Sequence, residues 1–228
     1  MEKISLYDLL SILLPGAIFT LFIEFLFFQF NWHIDNYEVN EYFKLTIFLS
    51  SSIFFGSIIN ILTRAMLNGF YKKISLYTPM YKIFKKIFTK DTILAKKYFD
   101  VKLVEIGNKL GDTNIEIDNL DDKTYHKYIE VLWDEIYFEL ESNNKIKTAK
   151  DFQSFYFFFR NFFTLGLLLF LVLIVLTIGW YYTKPVFAYL LGFDVIMMIL
   201  SIISAKWNRK QMAKRLFWTY YSLHKNEN

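Results

Sequence analysis

Leu165 to Ile178 contains no residue more polar than Thr177, and it is the densest of four apolar stretches that each approach or exceed the length needed to cross a bilayer. About 20 helical residues cover roughly 30 Å of hydrocarbon. In lipid the backbone must satisfy its own hydrogen bonds, so such stretches become helices. The spans are predicted at about Leu9–Phe30, Phe43–Leu67, Phe155–Tyr182 and Val186–Lys206. Composition agrees: 54% of the 228 residues are hydrophobic and 21% aromatic, more apolar surface than one soluble core of this size hides. The expected class is an all-α membrane protein of four transmembrane helices with a helical cytoplasmic domain between the second and third spans.

Lys and Arg near the span ends set the orientation. Residues 31–42 carry Asp35, Glu38 and Glu41 but no Lys or Arg, and the turn between the third and fourth spans carries only Lys184. Lys72, Lys73, Lys82, Lys85 and Lys86 follow the second span, and Lys206, Arg209, Lys210, Lys214 and Arg215 follow the fourth. The reading is a multi-pass membrane protein with both termini cytoplasmic, and the biased use of Lys, Asn, Ile and Phe, which suggests an AT-rich bacterial genome, makes the expected membrane a bacterial inner one. Trp32 and Trp180-Tyr181-Tyr182 then form an outer aromatic belt, and Trp207 an inner one. Lys3 precedes an apolar stretch, but Pro15-Gly16 interrupts it and no small-residue cleavage site follows, so the N-terminus reads as an uncleaved anchor.

The chain divides into 1–67 (first two spans), 68–152 (cytoplasmic helical domain), 153–206 (last two spans) and 207–228 (basic cytoplasmic tail). Thr78-Pro79 reads as a helix start. The helix it opens puts Met80, Ile83, Phe84, Ile87 and Phe88 on one face, apolar enough to lie on the bilayer, and Lys82, Lys85 and Lys86 on the other. Residues 91–120 are punctuated by Gly107, Gly111 and Asn114, and Ile115-Glu116-Ile117 fits a short strand or a turn of helix. From Asp121 a second amphipathic helix gathers Tyr125, Ile129, Leu132, Ile136 and Leu140. Thr148 with Asp151 reads as a capping pair for a helix running through the third span, on the order of 50 Å long.

Ionisable groups inside spans are costly and draw attention first. Glu24 lies in the first span, Asp194 in the fourth, and Ser50, Ser57, Asn60 and Arg64 share an arc of about 80° on the second. Two readings stand. The stripe lines an aqueous pore, with Glu24 or Asp194 as a carboxylate ring; or Ser52 and Gly56 let two helices approach, the polar side chains bond across the contact, and Arg64 snorkels.

The basic residues Lys72, Lys73, Lys82, Lys85, Lys86, Arg209, Lys210, Lys214 and Arg215 also read two ways. They form a collar for an anionic ligand, a nucleotide or oligonucleotide, with Tyr71, Tyr77, Tyr81, Trp218, Tyr220 and Tyr221 to stack bases. Alternatively they provide the positive-inside signal and contact anionic lipid. Cysteine is absent, and no phosphate loop, zinc-binding or nucleophile-elbow motif occurs; His33, His126 and His224 are scattered. No enzyme, metal site or cofactor is expected.

Ser5-Leu6-Tyr7-Asp8-Leu9-Leu10 followed by Leu14-Pro15-Gly16 resembles the start of small bacterial membrane proteins that accompany anti-phage defence genes. The four-span layout is most similar to channel-forming effectors of the Hailong kind, with the membrane subunit of Kiwa systems a second candidate. The resemblance implies a homo-oligomer, with a tetramer favoured, gated by a nucleotide or oligonucleotide signal. The alternative is a non-conducting scaffold or sensor that recruits a soluble partner protein through the 121–142 helix.

Overall fold

The computed structural model describes residues 9–31, 40–66, 69–73, 79–88, 92–112, 115–180 and 183–225, and throughout them the regular elements are helical. Four helices are long and apolar enough to cross a membrane, so the chain is an all-α, multi-pass membrane protein. They are α1 (Leu9–Gln29), α2 (Glu41–Met66), α7 (Lys147–Trp180) and α8 (Val186–His224). Between α2 and α7 lie α3 (Phe70–Lys73), α4 (Met80–Ile87), α5 (Ile93–Lys109), a 3-10 turn (Ile117–Asn119) and α6 (Asp122–Ser142). The expected roles of Ser5 to Asp8, Trp32, Tyr77, Thr78, Tyr181 and Tyr182 lie outside the described residues.

The chain forms two compact units. The first comprises residues 1–76 and 153–207 and contains the apolar parts of all four long helices. Its tightest joint is between α1 and α2. A Cβ on Gly16 would stand 1.7 Å from the Ser52 carbonyl oxygen, and one on Gly56 would stand 2.0 Å from that of Ile12. Residue 16 meets 52 while 12 meets 56, so the helices run antiparallel with their backbones nearly touching. The first turn of α1, Leu9–Leu13, is π-helical, and Pro15 sits where α-helical geometry begins, a position that spares its missing N–H. Elsewhere in this unit Leu173, Leu176 and Phe187 are buried against Phe22, Phe25, Leu26 and Phe30.

The second unit comprises residues 77–152 and 208–228. Asp121 caps α6, accepting from the backbone N–H of Lys123 (3.2 Å) and Thr124 (3.3 Å). As its spacing predicts, Tyr125, Ile129, Leu132, Ile136 and Leu140 are all buried. The open stretch 91–120 resolves into α5, which ends in a left-handed residue: Gly111 (φ +87°) donates to Asn108 and Asp112 donates back to Gly107. Asn144 (φ +55°) ends α6 in the same way, with Lys145 donating to Leu140. The Ile115-Glu116-Ile117 segment is extended at Glu116 and then enters the 3-10 turn.

Three expectations change. Met80, Ile83, Phe84, Ile87 and Phe88 do not present a free face to a bilayer; they are buried against Phe99 of α5 and Phe217 of α8. Residues 207–228, read as a basic tail, continue α8 to His224 and bury Met212, Ala213, Leu216, Phe217 and Tyr220. The helix caps also shift: Pro79 is the N-cap of α4, and α7 opens at Lys147, so Thr148 lies inside its first turn.

Tyr128 supplies a pH probe of the second unit. Its hydroxyl donates to Asp112 Oδ2 at 2.6 Å, while the ring is 1% exposed beside Gly107. Desolvation, and then the bond to the Asp112 carboxylate, push the Tyr128 phenol up to about 12. The unfolded chain releases this proton near pH 10, so the stabilisation is complete below pH 10 and declines as pH rises toward 12. Denaturant titrations from pH 8 to 12 are expected to show a steeper alkaline loss of stability in wild type than in Tyr128→Phe.

Candidate functional site

Polar side chains in the first unit converge on one buried network. Asn161, on the part of α7 preceding its most apolar stretch, donates through Nδ2 to the Ser11 carbonyl of α1 and to Asn60 Oδ1 of α2 (3.4 Å). One turn further along α7, Thr164 bonds to Thr63 of α2 at 2.6 Å and to the Tyr71 hydroxyl of α3. Each hydroxyl carries one proton, and Thr63 also bonds to the Ile59 carbonyl at 2.7 Å. A chain running Tyr71 to Thr164 to Thr63 to Ile59 satisfies every donor. Ser11, Thr63 and Asn161 are fully buried, as is Tyr71. Beside them the buried Arg160 guanidinium lies 4.6 Å from the Phe157 ring centroid. The network ties α1, α2, α3 and α7 together, each bond between membrane helices being worth roughly 0.6 kcal/mol and at most about 1.7.

The predicted pore-lining residues separate. Asn60 is buried in this network. Ser50 and Arg64 are exposed, and Ser57 is half-buried with its hydroxyl bonded to the Ile53 carbonyl. The face that α2 packs inward is Ser52, Gly56, Ile59, Asn60 and Thr63. On a helical wheel the Ser50, Ser57 and Arg64 edge lies about 120° away from that face. Glu24 is exposed on α1.

Asp194 stands apart from all of these. It is 8% exposed on α8, and its Oδ2 is buried with no hydrogen-bond partner. It lines a cavity of about 260 Å³ among α1, α7 and α8, whose other walls are apolar and include Phe22, Phe162, Leu169, Phe193 and Met197. Gly166 on α7 makes room here: a Cβ there would stand 2.5 Å from Met198 Cγ and 3.3 Å from Asp194 Oδ1.

Among the basic candidates, Lys82, Lys85, Lys86, Lys210, Lys214 and Arg215 are exposed in the second unit, and Lys73 is exposed in the first. Lys85 is engaged by Asp122 at 3.1 Å and lies 4.8 Å from the Tyr125 ring centroid. Arg209 is 7% exposed, which removes it from the surface set. The side chain of Lys72 is outside the described residues. Lys214 and Arg215 line a shallow hollow with Gln211 and Trp218. The expected stacking role of Tyr71 and Tyr220 is not available: both are buried, Tyr71 in the polar network and Tyr220 in the second unit's core.

Sequence reading missed Ser11, Thr63, Arg160, Asn161 and Thr164. A signal was present for three of them, because Arg160, Asn161 and Thr164 fall inside the span predicted from Phe155, where polar groups require partners. Comparison with protein-family models, curated proteins and solved structures finds no match.

Proposed function

We propose that this chain is the subunit of a homo-oligomeric ion channel in a bacterial inner membrane, with both termini cytoplasmic and a tetramer the favoured assembly. The observation that carries this is the outer edge of α2. Ser50 and Arg64 are exposed on the single chain while the neighbouring Ser52, Gly56, Asn60 and Thr63 face is packed. A polar edge on a spanning helix faces protein or water rather than lipid, and copies arranged around an axis supply both.

Exposed Lys82, Lys86, Lys210, Lys214 and Arg215 suit an anionic cytoplasmic signal of nucleotide or oligonucleotide type. Opening follows if that signal binds the open state more tightly than the closed one. The role in anti-phage defence rests on the resemblance of the first residues.

The test is the Ser50→Leu/Ser57→Leu double variant, with particle symmetry and ion flux measured in proteoliposomes. Wild type is expected to form a ring of three or more subunits and conduct when activated. The variant should retain its thermal unfolding midpoint while flux falls at least about tenfold. A monomer or a dimer with no axial path, silent with oligonucleotides present, would reject the channel.

The second reading, a non-conducting scaffold for a soluble partner, is favoured by one observation: Phe138 on α6 is 75% exposed although α6 packs its opposite face. Under it Phe138→Glu abolishes partner capture.

A further inference from the structure

We propose that the cavity at Asp194 is a binding site for a lipophilic organic ammonium ion, which enters sideways from the membrane. The site is distinct from the α2 edge, since among the described residues its walls come from α1, α7 and α8. Asp194 Oδ2 is fully buried and unpartnered in a unit made of spanning helices, and a carboxyl group in such surroundings needs a counter-charge, a donor or a proton.

Among the described residues no basic side chain lines the cavity; Phe22, Phe162 and Phe193 do. Aromatic faces attract an ammonium group and accept the apolar body behind it. A dry cavity of 150 Å³ takes benzene, so about 260 Å³ suits one ring with a short alkyl arm.

The route follows from the rim. Ile18, Leu21 and Phe193 line the cavity and are themselves exposed on the apolar flanks of α1 and α8, with Leu21 at 53% and Phe193 at 61%. On helices long and apolar enough to cross a membrane, such apolar flanks face lipid rather than water. A ligand that first partitions into the bilayer therefore meets the opening directly, and a hydrophilic amine does not. The ligand class is an ammonium group on an apolar body of about ten carbon atoms.

The experiment uses the full-length protein in lipid nanodiscs at pH 7, with 4-phenylbutylamine as the probe and 4-phenylbutanol as its uncharged counterpart. At about 100 times its dissociation constant the amine is expected to raise the unfolding midpoint by roughly 5 °C, saturably. The alcohol should do so at least ten times more weakly. Asp194→Asn, nearly isosteric, should lower amine affinity at least tenfold. Leu21→Trp keeps the carboxylate, changes only an exposed rim residue and should block entry.

Equal shifts by amine and alcohol, or an amine shift that survives both variants, would overturn the proposal as partition into lipid. No shift with wild type would overturn the ligand class. If Asp194→Asn does not fold, Leu21→Trp decides alone. Conductance enters none of these readouts, so failure here and failure of the channel reading are distinguishable.

Discussion

Gly16→Ala is expected to lower the unfolding midpoint of the detergent-solubilised protein by at least about 6 °C, corresponding to a loss of about 3 kcal/mol or more. The added methyl would stand 1.7 Å from the Ser52 carbonyl oxygen and 2.7 Å from the Gly56 nitrogen, both backbone atoms of a continuous helix. Neither can rotate away, so α1 and α2 must separate by on the order of 1.5 Å to restore van der Waals distance. Separation weakens the Asn161 bond to the Ser11 carbonyl and the edge-on contact of Phe19 with Phe55, whose centroids are 5.0 Å apart. Gly56→Ala should behave alike, because its methyl would meet the Ile12 carbonyl at 2.0 Å. Gly192→Ala is the control, with open space around the new methyl and a gain in helix propensity. If Gly16→Ala and Gly192→Ala unfold at the same temperature, the close α1–α2 joint is not what holds the first unit together.

The spans were legible because lipid leaves few options. A segment such as Leu165 to Ile178 can be little else, and the structure carries it in α7. The inward face of α6 was legible because all five of its apolar positions repeat at helical spacing and all five are buried. For α4 the face was readable but its occupant was not. A bilayer and a protein core are equally apolar, and the residues that cover Phe84 and Phe88 come from segments without a clear signal. One is α5, which carries Gly107 in its last turn and Gly111 just past its end. The other is the far end of α8, where Lys210, Lys214 and Arg215 mask the aromatic stripe that holds Phe217.

The candidate site was half legible for a related reason. The sequence of α2 carries two polar stripes, Ser50, Ser57 and Arg64 on one and Ser52, Asn60 and Thr63 close to the other, and it does not say which one the chain itself covers. Gly16 and Gly56 decide. Because α1 can approach only where both backbones are bare, the Ser52 side is drawn inward and the Ser50 edge is left outside. Asn60, at the border of the two, goes with the packed face and finds Asn161. The outward edge that supports the channel reading is thus a consequence of glycine placement on α1. Gly16→Ala should disturb flux as well as stability, whereas Ser50→Leu/Ser57→Leu should disturb flux alone.

Phe217→Ala should have the largest effect in the second unit. Phe217 is fully buried, and its ring centroid lies 5.0 Å from Phe84, 5.5 Å from Phe99, and 5.8 Å from both Phe88 and Trp133. It therefore joins α4, α5 and α6 to residues 208–228, which lie far from them in sequence. Truncating a buried Phe to Ala costs about 3 to 5 kcal/mol through lost burial and the cavity left behind, and the edge-on aromatic pairs add to the loss. A unit of about 100 residues has roughly 5 to 15 kcal/mol to lose. The midpoint of its transition should fall by at least about 12 °C, and amide protons of α5 and α6 should exchange far faster while those of α2 stay protected. Phe217→Leu keeps most of the volume and should cost less than half as much. A fall under about 3 °C for the alanine variant would mean that α4, α5 and α6 hold one another without α8, and that residues 208–228 are a dispensable cover rather than part of the core.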